Sequence, residues 1–229
     1  MSIVTEAVTH HQAMVSSIAR ELAIFQKHLD RLQDSDEGVF LTLSGPSGGG
    51  KTTLARLLHD HLPLRSKVSI SWTTRPPRED EKTGRDYHFV SPDDFEVAEQ
   101  DGLFLECAGV YDAKYGTPKE PIEAWLTESL VVILVTDVLG ATTVRKKHTQ
   151  LSAAHRYFDV MLVLDKTELE RRLRRRGTDA PEKIAKRLSE AEREMRQASA
   201  FAWTIDSQTG KPEEDLLALL KFLNVQLGQ

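Results

Sequence analysis

The sequence contains a single cysteine, Cys107, and no run of about 18 or more apolar residues. One thiol cannot form an internal disulfide or a cysteine-clustered metal site, and such sparse cysteine use is typical of a reducing compartment. The lack of a long apolar run predicts that no segment spans a membrane. The first residues, MSIVTEAVTHHQAM, also lack the basic start and apolar stretch of a secretory signal, so we expect a cytoplasmic protein.

Positive charge is in short supply as well. The chain has 30 Lys and Arg against 35 Asp and Glu, which gives a net charge of −5. A protein that coats nucleic acid needs the opposite balance, so we expect no nucleic-acid partner. Hydrophobic residues make up 40% of the 229 residues, which is enough to build a core and excludes a wholly disordered chain. The length predicts one or two domains.

Residues 1–33 contain neither glycine nor proline, and their apolar residues recur at steps of four and three when His11 is included. This heptad seam comprises Val4, Val8, Val15, Ile18, Leu22, Phe25, Leu29 and Leu32. The spacing predicts one long amphipathic helix, followed by a polar linker, over residues 1–36. Three alternatives stay open at this stage. The helix packs on its own domain, it pairs with a second copy of the chain to form a homodimer, or it is a frayed tail.

A glycine loop, GPSGGGKT, follows an apolar segment at Val39–Leu43 and precedes a helix with regularly spaced leucines. The pattern Gly-x4-Gly-Lys-Thr in a strand–loop–helix context is the P-loop, which binds a nucleoside triphosphate with Mg²⁺. Backbone N–H groups and the helix dipole hold the phosphates, Lys51 adds a full positive charge, and the Thr52 hydroxyl is the metal ligand. The predicted triphosphate-binding residues are Gly45, Pro46, Ser47, Gly48, Gly49, Gly50, Lys51, Thr52 and Thr53.

Two further apolar segments, Val131–Val135 and Val160–Leu164, each precede a helical stretch. Repeated strand–helix units predict an α/β fold, a three-layer core around a parallel sheet. Residues 69–126 differ from this pattern because they are rich in proline and in charged and aromatic residues. We therefore expect an inserted, small mixed α/β subdomain that binds a substrate, within a domain that covers residues 37–229.

Three motifs follow the P-loop in a fixed order: SISWTTRPPRED from Ser69, GRDYHF from Gly84 and FLECAGVYDAKYGT from Phe104. In this order they resemble the guanylate kinase family, over about residues 39–188. The resemblance implies a kinase that transfers the terminal phosphoryl group of ATP to GMP or dGMP with Mg²⁺.

The resemblance also implies a set of GMP-binding residues, and their chemistry suits the ligand. These are Ser71, Arg75, Arg78, Tyr87, Glu106, Tyr115, Thr117 and Asp137. Guanidinium groups bind phosphate with two parallel hydrogen bonds. A carboxylate at Glu106 accepts hydrogen bonds from N1–H and the N2 amino group of guanine, with Asp137 as a second acceptor for the amino group. Tyr87 and Tyr115 have an alternative role as packed aromatics, and Thr117 as a turn residue.

An arginine-rich run, RRLRRRGT from Arg171, precedes a further helix. It resembles the mobile lid that closes over ATP in guanylate kinases, here at about residues 167–190. The alternative is a solvated basic helix face. By the resemblance, the residues that act on the phosphates are Lys51, Arg78, Arg172, Arg176 and Arg187.

Three positions depart from the family pattern. Val135 stands where the family has an aspartate that supports Mg²⁺, Leu139 replaces a glutamine, and Ser207 replaces an asparagine. The departures at Val135 and Leu139 leave one alternative open, a kinase for an altered purine nucleotide. The N-terminal heptad helix suggests a second alternative, a non-catalytic binding module of the same fold, although such modules typically lack the P-loop lysine that is present here as Lys51.

Overall fold

The computed structural model describes residues 3–110, 112–177, 179–207 and 211–229, and the side chains of these except residues 3–7, 110 and 176. The helices are α1 (Ile3–Asp34), α2 (Lys51–His61), α3 (Pro92–Gln100), α4 (Lys119–Thr127), α5 (Val138–Lys147), α6 (Lys166–Arg176), α7 (Pro181–Met195) and α8 (Pro212–Leu227). The strands are β1 (Gly38–Ser44), β2 (Ser66–Val68), β3 (Trp72–Thr73), β4 (His88–Phe89), β5 (Phe104–Val110), β6 (Ala113–Pro118), β7 (Val131–Val135), β8 (His155–Val163) and β9 (Trp203–Asp206).

The central sheet has the strand order β2-β7-β1-β8-β9, and every pair in it is parallel. Strand β1 is buried along its whole length, because successive side chains enter two different cores. Leu41 and Leu43 pack with α2 and α8 on one face, while Phe40 packs with α4 and α5 on the other. The predicted three-layer α/β architecture is confirmed.

A second, smaller sheet has the strand order β4-β3-β6-β5. Its strands are inserted in the sequence between β2 and β7 of the central sheet. It is mixed, because β3 pairs in parallel with β4 and antiparallel with β6. Helix α3 covers it, and the Phe95 ring stacks on Phe104 at 4.8 Å. Ser91 caps α3 by accepting a hydrogen bond from the Asp94 N–H, with Pro92 in the first turn. This is the small mixed α/β unit that the sequence predicts.

Helix α1 runs parallel to α8 of the same chain. Glu21 accepts hydrogen bonds from the Asn224 amide at 2.9 and 3.0 Å, and His10 lies 3.8 Å from Glu214. On the seam, Ile18, Phe25 and Leu29 are buried in the core that α8 shares. The long helix is therefore confirmed, and from Ile18 onward it packs on its own domain.

The first half of the predicted seam has a different environment. Val8 and Val15 are 51% and 52% exposed, His11 is exposed, and Met14 instead packs against the core. A straight helix has 3.6 residues per turn, whereas the apolar residues of the heptad seam recur on average every 3.5 residues. The apolar stripe therefore drifts around the helix over about four heptads. The neighbouring helix decides which part of the stripe is buried. None of the helices in the described ranges is both long and apolar enough to cross a membrane.

Candidate active site

The glycine loop lies at the carboxyl end of β1, and α2 begins at Lys51 directly after it. Gly45 has a φ of 130°, and a Cβ at this position would meet the backbone carbonyl of Leu162 on the adjacent strand β8. Only glycine can adopt this conformation at such a close approach. The loop therefore wraps around the start of α2 and turns its backbone inward, as a phosphate cradle requires.

Lys51 is half-buried at the start of α2. Its Nζ donates hydrogen bonds to the carbonyls of Gly45 at 2.7 Å and Pro46 at 3.0 Å. Burial lowers the pKa of Lys51, and the nearby carboxylates of Glu194 and Asp137 partly oppose that shift. The ammonium group is thus held inside the loop, and Thr52 follows it in the first helical turn.

Two of the lid arginines reach the loop from different sides. Arg187 of α7 donates a short hydrogen bond to Ser47 Oγ, and its Nε lies 3.3 Å from Asp179. Arg172 of α6 donates to the Gly49 carbonyl at 3.1 Å and to Ser207. Arg187 faces the cleft, whereas Arg172 lies behind the loop and links it to the end of β9.

The two arginines that the resemblance assigns to the acceptor phosphate, Arg75 and Arg78, also line the cleft. The Arg75 guanidinium makes two hydrogen bonds to Glu81, at 2.6 and 2.7 Å, and its Nε donates to the Tyr115 hydroxyl at 3.2 Å. It also lies over the Tyr87 ring at 5.0 Å. Arg78 is held less tightly, with 3.4 Å between its guanidinium and Glu81. This part of the cleft carries two guanidinium groups with one carboxylate between them.

A buried carboxylate closes the inner end of the cleft. Glu106 on β5 accepts a hydrogen bond from Thr117 Oγ1 at 2.5 Å, while its Oε2 has no hydrogen-bond partner among the described residues. Burial raises the pKa of Glu106 to about 7, against the hydrogen bond from Thr117, and the Asp137 charge adds to the rise. A buried acceptor without a partner costs free energy, so this atom is suited to a ligand that donates hydrogen bonds.

Asp137 lies between the two halves of the cleft. It caps α5 by accepting a hydrogen bond from the Gly140 N–H at 2.7 Å. Gly140 lets α5 approach the base of the cleft, because a Cβ there would overlap Thr136 and lie 3.1 Å from Glu106 Oε2. The second carboxylate is thus fixed near the first by the helix cap.

One cleft of about 1590 Å³ brings most of the predicted residues together. Those that line it are Gly45, Ser47, Gly48, Gly50, Lys51, Thr52, Thr53, Ser71, Arg75, Arg78, Tyr87, Glu106, Tyr115, Asp137 and Arg187. Four predicted residues whose side chains are described do not line the cleft. Thr117 donates a hydrogen bond to Glu106, which does line it. Pro46 and Gly49 belong to the glycine loop, and Arg172 contacts that loop as described above. The Arg176 side chain is outside the described part of the structure.

The sequence did not single out several acidic residues that line the cleft, among them Glu81 and Glu194. Glu81 follows Arg78 by three residues, and this short spacing between opposite charges was an available signal. Glu194 lines the cleft from α7 and had no local signal, since it lies far along the chain from the P-loop. Only the folded chain brings it close to Lys51.

Comparison with known proteins agrees with this geometry. The sequence model of the guanylate kinase family matches residues 38–221. The chain is 40% identical over 182 residues to a guanylate kinase of Oleidesulfovibrio alaskensis, covering 79% of this chain and 85% of that protein. It is 41% identical, with the same coverage, to a guanylate kinase of Nitratidesulfovibrio vulgaris. A crystal structure of guanylate kinase from Anaplasma phagocytophilum aligns with a TM-score of 0.65 at 25% identity, covering 84% of this chain and 88% of that one.

The chain belongs to the guanylate kinase family. The three departures from the family pattern have different surroundings in this member. Val135 ends β7 and lines the cleft, whereas Leu139 is 62% exposed and does not line it. Ser207 is buried and donates to Asp215 at 2.7 Å. Of the three, only Val135 lines the cleft.

The cleft also has a suitable donor set for the Mg²⁺ of guanylate kinases. Thr52, Asp137 and Glu194 line it and offer hydroxyl and carboxylate oxygens, the donors that Mg²⁺ prefers. Among the described residues, no group of three or more His, Cys, Asp or Glu side chains forms a metal site on its own. Mg²⁺ therefore fits here as the partner of nucleotide phosphates, with Thr52 as the protein ligand.

Proposed function

We propose that this protein is a guanylate kinase that transfers the terminal phosphoryl group of ATP to GMP or dGMP, giving ADP and GDP or dGDP. The observation that carries the proposal is the shared cleft of Lys51 and Glu106. A P-loop lysine and a buried carboxylate with an oxygen that has no partner among the described residues line the same cleft. The first binds a triphosphate, and the second is complementary to the two donors of guanine.

Glu106 selects the base in this proposal. Guanine presents N1–H and N2–H₂ donors, and adenine presents an acceptor in place of N1–H. Oε2 of Glu106 is buried and has no partner in the described structure, so a base without a donor would leave this acceptor unpaired. Such a mismatch is the kind that a hydrogen-bonding site rejects strongly. Asp137, Ser71 and Thr117 complete the base site.

The arginines act on the phosphates. Arg75 and Arg78, with Tyr87 and Tyr115, orient the acceptor phosphate, whose second pKa of about 6 leaves it ionised near neutral pH. No general base is needed, and the main barrier is the repulsion between two anions. Lys51 and Arg187 offset this repulsion at the transferred group.

Residues of the P-loop and lid complete the assignment. Mg²⁺, held through the Thr52 hydroxyl, supplies charge neutralisation at the ATP phosphates. Arg187 and Arg172 contact the loop from α7 and α6, so lid movement changes the contacts of the loop itself. We assign Arg176, with these two, to the phosphates. We also propose the division into residues 1–36 and 37–229, with an acceptor subdomain at about 69–126 and a lid at about 167–190.

A coupled ADP-release assay tests the proposal with ATP, Mg²⁺ and each of GMP, dGMP, AMP and CMP. We expect turnover with GMP or dGMP and a loss of about a hundredfold or more in kcat/KM for Glu106→Gln, because the amide replaces an acceptor with a donor. Glu99→Gln is the matched control, since Glu99 pairs with Lys114 outside the cleft at 2.8 Å. Equal turnover with AMP, or none with any acceptor, would overturn the proposal.

Two further aspects belong to the proposal. We place the protein in the cytoplasm, where ATP and guanine nucleotides are available. We also propose a homodimer formed through the exposed part of α1, based on the apolar side chains of Val8 and Val15. Light scattering should show a lower mass for the Val8→Asp/Val15→Asp double variant than for the unchanged chain, and equal masses would contradict the homodimer.

A further inference from the structure

Glu194 is an acidic residue of the cleft that the proposed mechanism does not use. It is the residue before the last of α7, and it lines the cleft together with Lys51, Thr52 and Asp137. Its Oε2 is shielded from solvent and has no hydrogen-bond partner within the described ranges. A buried carboxylate oxygen without a partner is costly, so its presence beside a P-loop indicates a role toward something that binds there.

The charged groups that interact with Glu194 indicate in which part of the cleft its carboxylate acts. Burial raises the pKa of Glu194 to about 7, while Lys51 lowers it and Asp137 raises it again. The Nζ of Lys51 directs two hydrogen bonds to the Gly45 and Pro46 carbonyls and none to Oε2 of Glu194. The Lys51 ammonium group and the Glu194 carboxylate thus interact electrostatically, but no hydrogen bond connects them at Oε2. Oε2 is left for another partner at the same end of the cleft.

Val135 explains why a carboxylate from α7 would be required. It is the last residue of β7, it lines the cleft, and it is in register with Leu43 at the end of β1. Its side chain therefore lies beside the start of the phosphate loop and carries no oxygen. The guanylate kinase pattern has an aspartate at this position. Glu194 of α7 lines the same cleft as Val135 and brings a carboxylate to it.

We propose that Glu194 is a positioning residue for magnesium-bound ATP and supplies the carboxylate that β7 lacks at Val135. This inference rests on the proposed function. Mg²⁺ in phosphate sites keeps several water ligands and few direct protein ligands. Thr52 is the direct ligand, and Glu194, with Asp137, accepts hydrogen bonds from the metal-bound waters. The partner of Oε2 is then a water of the bound complex.

Titration calorimetry on the full chain tests this role without relying on turnover. ATP affinity is measured with EDTA and again with Mg²⁺, so that the gain caused by the metal is isolated. In the unchanged chain we expect Mg²⁺ to tighten ATP binding. In Glu194→Gln we expect this gain to fall by about tenfold, while the affinity for ATP in EDTA is unchanged or higher because one negative charge is lost.

The first control makes the same chemical change as Glu194→Gln at another position of the same helix. Glu192→Gln makes the same change two residues earlier on α7, where Glu192 pairs with Lys166 at 2.6 Å outside the cleft. It should keep the full gain from Mg²⁺. Val135→Asp, added to Glu194→Gln, should restore the gain by returning a carboxylate to β7. If Glu194→Gln does not fold, as judged by circular dichroism, Glu194→Asp is measured in its place and should show a smaller loss.

Two results would overturn the inference. The first is an unchanged gain from Mg²⁺ in Glu194→Gln. The second is an equal loss of affinity with and without Mg²⁺, which would make Glu194 a counter-ion for Lys51 alone. Failure of the proposed function has a separate signature, since the unchanged chain would then bind ATP with Mg²⁺ but phosphorylate neither GMP nor dGMP.

Discussion

The Arg75 guanidinium and the Glu81 carboxylate face each other with two parallel hydrogen bonds, at 2.6 and 2.7 Å. Both side chains are 15% exposed. Burial alone would raise the pKa of Glu81, but hydrogen bonds from Arg75 and from the Arg78 backbone outweigh it and lower that pKa. The face of Arg75 that best fits a phosphate is thus held by a carboxylate, and the geometry of the acceptor site depends on this pair.

Replacing Glu81 with glutamine should therefore weaken acceptor binding. A charge-assisted hydrogen bond contributes about 1.5–3 kcal/mol, so we expect KM for GMP to rise about tenfold or more, with KM for ATP unchanged. Steady-state kinetics with each substrate varied in turn measures this. Glu79→Gln, at an exposed position two residues earlier, is the control. A fall in KM for GMP would show instead that Glu81 competes with the acceptor phosphate for Arg75.

Guanine binding should depend on pH through Glu106. The pKa of this carboxyl is raised from 4.5 to about 7, and only its ionised form accepts two donors from guanine. Below about pH 7 the affinity for guanosine should fall by about tenfold per pH unit, because protonation of one group must be reversed before binding. Guanosine is used because it has no phosphate that titrates near 6. A flat profile between about pH 8 and 6 would contradict the assignment.

Glu106 should also make the stability of the folded protein depend on pH, in the direction opposite to its effect on guanine binding. A raised pKa means that the folded state holds the proton more tightly than the unfolded state. The contribution of Glu106 is therefore complete below about 4.5 and is lost as the pH rises toward about 7. Glu106→Gln should remove this part of the pH dependence. Urea unfolding of both proteins across this pH window measures it, and parallel curves would refute the prediction.

Gly140 has no side chain that could contact a ligand, but we expect it to be essential for the affinity of the acceptor nucleotide. A Cβ at this position would overlap Thr136 and press on Glu106 Oε2 at 3.1 Å. We expect Gly140→Ala to raise KM for GMP about tenfold or more while the protein stays folded. Gly109→Ala on β5 is the matched control, because a Cβ there meets nothing within 4 Å. Similar kinetics for both variants would show that α5 shifts without cost.

Helix α1 should contribute to stability without taking part in turnover. Phe25 is fully buried in the core that α1 shares with α8, so Phe25→Ala should lower the free energy of unfolding by about 3–5 kcal/mol. Gln26→Ala, at the exposed neighbouring position on the same helix, should change it by less than about 0.5 kcal/mol. Urea titration measures both changes. Equal values would mean that α1 is not anchored through this core.

Much of the fold could be predicted because its signals are local. Strand β7 is an uninterrupted apolar run, α8 begins at a proline with an apolar stripe, and the P-loop carries strand, turn and helix in one short stretch. Each signal depends on residues that are neighbours in the chain. The order β2-β7-β1-β8-β9 and the partner of α1 have no such signal, because they depend on contacts between distant segments.

The sequence by itself determined the P-loop pattern and the long helix α1, since both follow from residue types at fixed short spacing. The roles of Arg75, Arg78 and Glu106 stay predictions that rest on the resemblance to the guanylate kinase family. Tertiary structure alone decided that α1 packs parallel to α8, that Arg172 contacts the loop and Ser207, and that Glu194 lines the same cleft as Lys51. These arrangements rest on which faces of separate helices meet, and burial between distant segments fixes them. A local pattern can give a helix its apolar face, but only the packed core provides the surface against which that face is buried.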